Sequence, residues 1–360
     1  MARSEQHSGE LELIRRIRAR ANGGRGVVLG IGDDCALLRV RDGEEIAVTT
    51  DLSIEGRHFR LDWHEPEAVG HRTLARGLSD LAAMGARPVA AFVSLGLRSE
   101  VECAGAKEVA SHASRKKRAM DGAQAEVRDE WVTRFYDGLL KLAREYETPL
   151  AGGDLAESPM TLADIVLVGA VPRGKALRRS GARAGDTIYV TGELGAAAAG
   201  LEKLSSQFKV RSSPNISRKR RDQPNSDDPL LRAHLYPQPR VAQGLWLLRK
   251  RAATAAIDLS DGLSTDLAHI CQESGVAAEV DEVALPVAAG ATLEQALHGG
   301  EDYELLFTAA EETRIPRAIA GVRVTRIGRM VRRRKQNPLV TLLTASGPRV
   351  LEARGWQHFS

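Results

Sequence analysis

The sequence has few of the features that stabilise secreted proteins or membrane spans. Its three cysteines, Cys35, Cys103 and Cys271, stand far apart at unmatched spacings. This pattern fits neither a disulfide framework nor a zinc motif and indicates a reducing compartment. The chain has no run of about 20 apolar residues, and its N-terminus has no apolar stretch followed by a small-residue cleavage site. We therefore expect a cytoplasmic protein that does not enter a membrane.

The chain also lacks a strong net charge. Acids and bases nearly balance at a formal +4, and much of the excess lies in basic runs at 211–223 and 329–336. Such a surface is not typical of a polyanion-binding protein. The basic residues 115–118 could contact nucleic acid, but no aromatic residues are interleaved with them as in a single-strand binding platform. A solvated charged loop is the favoured interpretation, so we expect no nucleic-acid partner.

The common phosphate-binding loops are missing as well. The chain has no G-x-x-x-x-G-K-[ST] motif and no G-x-G-x-x-G between a strand and a helix. It has instead short motifs in which glycine stands beside an acid: "GIGDD", "AGGD", "LSDG" and "HGGED". Glycine lets a phosphate approach main-chain N–H groups closely. A nucleotide site in this chain must therefore be held chiefly by metals.

The length and the order of the segments predict the fold class. At 360 residues the chain exceeds the usual size of a single core, which favours two domains. Helical and strand-like segments alternate, and the pattern restarts after 172–187, which indicates an α/β (α+β) protein. We place the N-terminal domain at 1–175 and the C-terminal domain at 176–360. Residues 99–128 and 205–228 have little apolar periodicity, and both are expected to be exposed, mobile insertions.

Aspartates stand at the ends of segments that should be buried. One such aspartate usually caps a turn, but this explanation weakens for five separate elements, because carboxylates gathered in a core repel one another unless cations hold them. Oxygen ligands without histidine or cysteine favour Mg²⁺, which is usually shared between carboxylates and substrate phosphates. The aspartates are Asp33 and Asp34 after "VVLGIG", Asp51 after "IAVTT", Asp80 in "GLSDLAAMG", Asp154 after "PLAGG", and Asp258 and Asp261 in "AAIDLSDG".

Seven motifs, taken in their order along the chain, resemble those of the thiamine-monophosphate kinases. They are "GIGDDCALL", "TTDLSIEGRHF", "LSDLAAMGARP", "LAGGD", "LRRSGARAGDTIYVTGELG", "IDLSDGLSTDL" and "GGEDYELLFT". The resemblance covers nearly the whole chain apart from the two insertions. It implies an ATP-dependent enzyme that makes thiamine diphosphate, with a two-domain fold like that of aminoimidazole ribonucleotide synthetase. It also implies a homodimer whose N-terminal domains pair through a β-barrel.

The resemblance further implies roles for particular residues. Several Mg²⁺ ions would lie among Asp34, Thr49, Thr50, Asp51, Asp80, Asp154, Asp258 and Asp261. The catalytic members of this set would be Asp51, Asp80 and Asp154. Gly153, Asp154, Arg179 and Ser260 would hold ATP, and His58, Glu301 and Trp356 would contact thiamine monophosphate.

Some of these residues keep an alternative role. Asp33 fits a turn as well as it fits a metal site, and charge alone does not separate Arg178 from Arg179. His58 could be a polar loop residue, and Trp356 could be a hydrophobic anchor near the end of the sequence. The resemblance favours Arg179 and the substrate role of His58.

Other enzymes of the same superfamily would need cysteines at particular positions. Selenophosphate synthetase would need a reactive cysteine near the N-terminus, and the related hydrogenase-maturation dehydratase would need one at the extreme C-terminus. Residues 1–30 contain no cysteine, and the chain ends in "WQHFS". A non-catalytic magnesium- or nucleotide-binding protein is the alternative from a different class, and the intact acidic set argues against it. Because a phosphate oxygen of the acceptor is already ionised at neutral pH, we expect direct in-line transfer without a general base or a phospho-enzyme.

Overall fold

The structure, a computed structural model, describes residues 10–21, 24, 26–31, 35–98, 115–211, 227–334 and 336–355, with the backbone alone described at 10–11, 115–126 and 209–211. The chain divides into two compact units. The first unit contains Met1–Asp42, Val48–Gly77 and Pro88–Gly169, and the second contains Gly43–Ala47, Leu78–Arg87 and Ala170–Ser360. The mixed α/β class and the two-domain organisation are thus confirmed, while the boundary at 175 stays a prediction.

The first unit is built on a four-stranded sheet with the order β3-β6-β4-β5, so that β3 is an edge strand. Strands β4 and β5 are parallel, and the short strands β1 and β2 form a separate antiparallel pair. The elements in this part of the chain are α1 (Glu10–Arg20), β1 (Val27–Leu29), β2 (Leu37–Leu38), β3 (Glu44–Ile54), α2 (Pro66–Ala83), β4 (Arg87–Leu97), α3 (Arg115–Glu145), β5 (Leu150–Glu157) and β6 (Leu162–Pro172).

Helices α2 and α3 approach each other at two glycines. A Cβ atom on Gly70 of α2 would lie 1.9 Å from the carbonyl oxygen of Phe135, and one on Gly138 of α3 would lie 1.9 Å from the carbonyl oxygen of Glu67. Both positions therefore exclude any larger residue. The apolar residues Trp131, Phe135, Leu139 and Leu142 recur at helical spacing along α3, and all four are buried.

The helices reach into the two segments that we expected to be insertions. Helix α3 begins at Arg115, inside 99–128, and α4 ends at Arg211, inside 205–228. Alanine, arginine, lysine, glutamate and glutamine favour a helix even where apolar residues do not recur at the helical period. Residues 99–114 and 212–226 lie outside the described residues, and the exposure of the two insertions stays a prediction.

The second unit is built on an eight-stranded sheet with the order β14-β13-β9-β12-β7-β10-β8, in which β11 pairs with β12. Its pairs are antiparallel except for the parallel pair β13–β9. The elements are β7 (Thr187–Thr191), α4 (Ala196–Arg211), α5 (Pro229–Leu235), α6 (Val241–Lys250), β8 (Ala255–Asp258), α7 (Leu263–Ser274), β9 (Ala277–Asp281), a 3₁₀ turn (Glu282–Ala284), α8 (Leu293–His298), β10 (Leu305–Ala309), β11 (Ala318–Ile319), β12 (Val322–Val331), β13 (Val340–Thr344) and β14 (Gly347–Val350).

The core of the second unit lies between this sheet and helix α7. Ile188 of β7, Ile257 of β8 and Leu306 of β10 are buried in one cluster with Leu267 and Ile270 of α7. Strand β8 leads directly into the loop before α7, so this packing fixes Asp258 at the end of the strand and Asp261 in the loop. No sheet formed by the described residues of this single chain closes into a barrel. None of the described helices is long and apolar enough to cross a membrane.

Candidate active site

The second unit brings four aspartates into one neighbourhood. Asp80 lies near the end of α2, Asp258 is the last residue of β8, and Asp261 lies in the loop that leads to α7. Asp266 is in the first turn of α7. The first three belong to the predicted metal-binding set, and the structure therefore places these three in one unit.

Asp258 is a predicted ligand whose pKa is strongly perturbed. Its side chain is buried, and the Ser79 hydroxyl donates a hydrogen bond of 2.8 Å to its Oδ2 atom. Burial, and then the negative charge of Asp80, raise the pKa of Asp258 to about 7, while the Ser79 hydrogen bond and the positive charge of Arg179 oppose the shift. The ionised carboxylate is therefore under-compensated by the protein, and a bound cation would favour it.

Asp266 is a member of the cluster that the sequence reasoning missed. Its Oδ2 atom accepts hydrogen bonds from the backbone N–H groups of Asp261 at 3.1 Å and Gly262 at 3.0 Å. Burial, and then the charges of Asp258 and Asp261, raise the pKa of Asp266 to about 8. Oxygen atoms of Asp261 and Asp266 and a ring nitrogen of His269 lie within 4.8 Å of one another. The signal in the sequence was the third aspartate of "DLSDGLSTDL", five residues after Asp261.

The predicted ATP and substrate contacts of the second unit lie around the same loop. Arg179 is exposed, and its positive charge acts on Asp258. The choice of Arg179 over Arg178 as the ATP-binding residue stays a prediction. The carbonyl oxygen of Ser260 accepts a hydrogen bond of 2.8 Å from the N–H group of Glu301. The Glu301 carboxylate lies 3.7 Å from Nδ1 of the buried His234. The structure thus places Ser260 and Glu301 side by side.

In the first unit, strand β3 separates the predicted ligands onto two faces. Side chains alternate along a strand, and Thr49, Asp51 and Ser53 lie on the more buried face, whereas Thr50 lies on the exposed face with Leu52. The expectation that this strand ends at Asp51 is wrong, because β3 continues to Ile54. Beyond the carboxylate, Leu52, Ser53 and Ile54 keep the alternation of the strand, and isoleucine suits a pleated, half-buried surface.

Arg76 holds Asp51 in a fork of two hydrogen bonds. Its Nε atom donates to Oδ2 of Asp51 at 2.8 Å, and its Nη2 atom donates to Oδ1 at 2.5 Å. The Nη1 atom donates to the Ser53 hydroxyl at 3.2 Å. Such a planar fork fixes the orientation of a carboxylate as well as its charge. The sequence reasoning missed Arg76, and the only available signal was its place in "LARGLSD", four residues before Asp80.

Gly153 and Asp154 lie within β5, not after its end, opposite Val93 and Ser94 of β4. Gly153 has a φ of +149°, and a Cβ atom there would lie 1.9 Å from the carbonyl oxygen of Val93. Close strand packing alone therefore requires glycine at this position. Asp154 is exposed, and its Oδ1 atom accepts a hydrogen bond of 2.9 Å from the N–H group of Leu155.

His58 lies in the turn that follows β3. Its Nδ1 atom accepts a hydrogen bond of 3.0 Å from the backbone N–H group of Ile54. In the neutral imidazole, an accepting Nδ1 leaves the proton on Nε2. The turn therefore favours the tautomer of His58 that carries its proton on Nε2.

Two family models match most of the chain. The model described as "AIR synthase related protein, N-terminal domain" matches residues 32–171, and that of the corresponding C-terminal domain matches residues 183–340. A thiamine-monophosphate kinase of Salmonella typhimurium (strain LT2) is 38% identical over 335 residues, covering 89% of this chain and 90% of the relative. The chain belongs to the thiamine-monophosphate kinase family.

Solved structures of this family extend the similarity to the fold. A thiamine-monophosphate kinase from Stenotrophomonas maltophilia K279a is 35% identical with a TM-score of 0.71, covering 93% of this chain and 96% of that one. The structure of AaThiL complexed with AMPPCP and TMP is 29% identical with a TM-score of 0.69, covering 100% of both chains. The two-domain fold expected from the resemblance to the thiamine-monophosphate kinases is therefore confirmed.

Three residues named from the family resemblance lie outside the described residues. They are Asp33, Asp34 and Trp356. Their metal-binding and substrate-binding roles stay predictions.

Proposed function

We propose that this chain transfers a phosphoryl group from ATP to thiamine monophosphate, producing thiamine diphosphate and ADP. The observation that carries the proposal is the similarity, over the full length of both chains, to the thiamine-monophosphate kinase structure described with AMPPCP and TMP. The carboxylates of the second unit add support, because Asp80, Asp258 and Asp261 form a cluster of negatively charged oxygen ligands of the kind expected for magnesium.

The donor set fits magnesium. Asp258 and Asp266 are buried carboxylates with raised pKa values, and both are affected by neighbouring carboxylates. Cations of this kind prefer oxygen ligands. We assign Asp80, Asp258 and Asp261 in the second unit, and Thr49, Thr50, Asp51 and Asp154 in the first, as residues that would hold several Mg²⁺ ions, together with Asp34. Thr50 would use its backbone oxygen, because its side chain lies on the opposite strand face from Asp51. When bound, magnesium supplies positive charge that offsets the charge of the two phosphate groups.

The remaining residues bind and orient the substrates. Arg179, Ser260 and Gly153 would hold ATP, with the guanidinium of Arg179 donating to its phosphates. His58 would donate from Nε2–H to the phosphate of thiamine monophosphate, and Glu301 would contact the same substrate. No side chain needs to remove a proton, because the attacking phosphate oxygen is ionised at neutral pH. The chain therefore contributes positioning and charge, which is the larger part of catalysis in phosphoryl transfer.

A direct assay tests this function. Purified full-length protein is incubated with ATP, Mg²⁺ and thiamine monophosphate, and the products are separated by chromatography. We expect thiamine diphosphate and ADP in equal amounts, no phosphorylation of free thiamine, and no activity in EDTA. ATP hydrolysis without thiamine diphosphate, or phosphorylation of free thiamine, would contradict the proposal. We propose that the reaction takes place in the cytoplasm, where ATP is available.

A homodimer is the proposed assembly, and β3 is the proposed interface. Along this edge strand Ile46, Val48 and Leu52 expose 57%, 61% and 43% of their surface on one face. The pair β1–β2 exposes Val28 and Leu37 in the same way, at 54% and 55%. A long apolar edge strand is normally covered, because it would otherwise pair with other chains. A second copy of this chain, pairing its own β3 into a shared barrel, would cover it.

The mass in solution tests the assembly. We expect sedimentation equilibrium to give twice the chain mass and Val48→Asp to give a folded monomer, since a charge on the covered face opposes association. The matched control is Val283→Asp, because Val283 is 84% exposed on a turn of the second unit. A wild-type monomer at micromolar concentration would rule out the dimer.

A further inference from the structure

Three of the sequence motifs lie together in the second unit, and the proposed mechanism gives a role to only some of their residues. They are "TGELG" at 191–195, "DLSDG" at 258–262 and "GGEDYE" at 299–304. The last segment lies along the second through three backbone hydrogen bonds. Glu301 N–H donates to Ser260 O at 2.8 Å, Tyr303 N–H donates to Leu259 O at 3.0 Å, and Leu259 N–H donates to Glu304 O at 2.8 Å.

The segment that carries Glu301 has an unfavourable backbone. Glu301 and Tyr303 have φ values of +58° and +50°, and Gly300 before them has a φ of +67°. Residues with a Cβ atom rarely adopt this left-handed conformation, because the Cβ atom crowds the following carbonyl oxygen. Two such residues within three positions persist only where neighbouring groups hold them.

Asp302 lies between these two residues, and its hydrogen bonds hold the segment in place. Its Oδ2 atom accepts a hydrogen bond of 2.7 Å from the N–H group of Gly195, and its Oδ1 atom accepts one of 3.2 Å from the N–H group of Ala197. Both donors lie at the start of α4. Gly195 has a φ of +85°, and a Cβ atom there would lie 2.7 Å from the backbone nitrogen of Ala296. Gly195, the last residue of "TGELG", thus allows the turn that directs both N–H donors at the Asp302 carboxylate.

Glu304 anchors the other end of the segment. Its buried carboxylate accepts hydrogen bonds of 2.6 Å from the Thr191 hydroxyl and from Nε of Arg240. Gly192 has a φ of +59°, and a Cβ atom there would lie 2.0 Å from Oε1 of Glu304, so glycine suits this backbone and lets the carboxylate approach it. The motif "TGELG" therefore binds both carboxylates that flank Tyr303, and the strained segment is fixed at two points.

We propose that Asp302 is a positioning residue that holds Glu301 in its left-handed conformation and so aims the Glu301 carboxylate at the acceptor substrate. The inference rests on the proposed function, in which Glu301 contacts thiamine monophosphate. Without the Asp302 carboxylate, the segment would be free to relax its backbone, and the Glu301 side chain would change direction. Both carboxylate oxygens of Asp302 accept backbone hydrogen bonds, so in this proposal Asp302 acts through Glu301 and not on a substrate.

A double-mutant cycle on thiamine monophosphate tests this. Asp302→Asn keeps the shape of the side chain, but its amide N–H₂ group faces one of the two backbone N–H donors and cannot accept that hydrogen bond. Glu301→Gln removes the negative charge that Asp302 would position. We expect each single change to raise the KM for thiamine monophosphate about tenfold with kcat and the KM for ATP within about twofold. The double variant should match Glu301→Gln alone, because Asp302 acts through Glu301.

A matched control separates this result from a general loss of order. Asp281 accepts a hydrogen bond of 3.3 Å from Val283 N–H at the 3₁₀ turn, so Asp281→Asn alters a similar aspartate cap elsewhere in the same unit. Its KM for thiamine monophosphate should equal that of the wild type. Calorimetric titration of thiamine monophosphate without ATP should show the same loss of affinity in Asp302→Asn as the kinetics do.

The possible failures are distinguishable. If Glu301→Gln raises the KM while Asp302→Asn leaves it unchanged, or if the two effects add, the positioning role is wrong and the proposed function stands. If Glu301→Gln changes nothing, the substrate contact fails and the positioning role falls with it. Should Asp302→Asn not fold, amide exchange of the wild type decides, because the N–H groups of Glu301 and Tyr303 must then exchange slowly. Exchange as fast as in an exposed loop would overturn the inference.

Discussion

In the first unit Asp51 faces an arginine, whereas in the second unit Asp258 faces other carboxylates. The Arg76 fork leaves Asp51 compensated by the protein itself. Asp258 has one hydroxyl donor and the charge of Arg179, and its pKa is nevertheless raised to about 7 by burial and by Asp80. The charge of Asp258 is therefore less well compensated by the protein than that of Asp51, so Asp258 gains more from a bound cation.

This difference shows where cation binding contributes most to stability. A carboxylate that already has a guanidinium partner gains little further stabilisation from a metal, while carboxylates crowded together without one gain much. The expected consequence is that removing a carboxylate has opposite effects on the stability of the metal-free protein in the two units. The predictions that follow test this contrast, beginning with the largest effect.

The largest effect is expected for Asp80→Asn. Asparagine keeps the shape but removes one negative charge from the cluster with Asp258. Because the remaining carboxylates hold magnesium more weakly, turnover should fall by several orders of magnitude and the Mg²⁺ concentration needed for activity should rise. The same variant in EDTA should melt no lower than the wild type, since one member of a repelling group is gone. Kinetics over a range of Mg²⁺ concentrations and calorimetric melting measure both quantities.

The control for this variant is Asp42→Asn, an exposed aspartate in a turn of the first unit. It should keep normal kinetics and a normal melting temperature. Near-wild-type turnover of Asp80→Asn at ordinary Mg²⁺ would remove Asp80 from the site. A melting temperature lowered in EDTA would instead mean that Asp80 is a structural cap, worth about 1 kcal/mol.

Asp51→Asn should behave in the opposite way in EDTA. The amide keeps one acceptor oxygen but turns an N–H₂ group toward Arg76, whose side chain is only 13% exposed. Loss of the fork should lower the free energy of unfolding by about 3 kcal/mol. Urea unfolding in EDTA measures this free energy. The same substitution is also made in the Arg76→Gln variant, which lacks the guanidinium partner. In the Arg76→Gln variant, Asp51→Asn should lower the free energy of unfolding by less. An equal decrease with and without Arg76 would contradict the pairing of Asp51 with Arg76.

The parts of the fold that the sequence predicts are those whose hydrophobic pattern is regular. The apolar segment "RPVAAFVSLGL" coincides with β4, and the helical period of α3 identifies its buried face, whereas β3 continues past Asp51 to Ile54. Strand β12 is different, because its buried residues Val324, Ile327 and Met330 recur every third position. A register shift between Arg326 and Gly328 breaks the alternation. A strand with a bulge does not show the period of two that sequence reasoning relies on.

The candidate site was predictable only as far as residue type reveals a role. The glycine–aspartate motifs indicate Asp80, Asp258 and Asp261, but the roles of Arg76 and Asp266 depend on what lies beside them in the fold. An arginine on a helix is ordinary in sequence and becomes informative once it forks onto Asp51, 25 positions away. Asp266 likewise looks like a first-turn helix residue until its buried neighbours are known.

The smallest predicted effect extends the contrast between the units to a buried histidine. His64 in the first unit is buried, and its Nδ1 atom accepts a hydrogen bond of 3.2 Å from Arg60 N–H. Burial, and then the positive charge of Arg72, lower the pKa of His64 to about 3. The folded chain therefore keeps this group neutral in the range where the unfolded chain protonates it, so its contribution to stability is complete above about pH 6.5 and is lost as the pH falls toward 3.

Replacing His64 with asparagine should remove this acid sensitivity, because the Oδ1 atom of asparagine can take the place of Nδ1 as acceptor and does not titrate. Between pH 7.5 and pH 5 the wild type should lose about 2 kcal/mol more unfolding free energy than His64→Asn. Urea unfolding in EDTA at a series of pH values gives the profiles. Parallel profiles for wild type and His64→Asn would mean that His64 is protonated in the folded chain as readily as in the unfolded one.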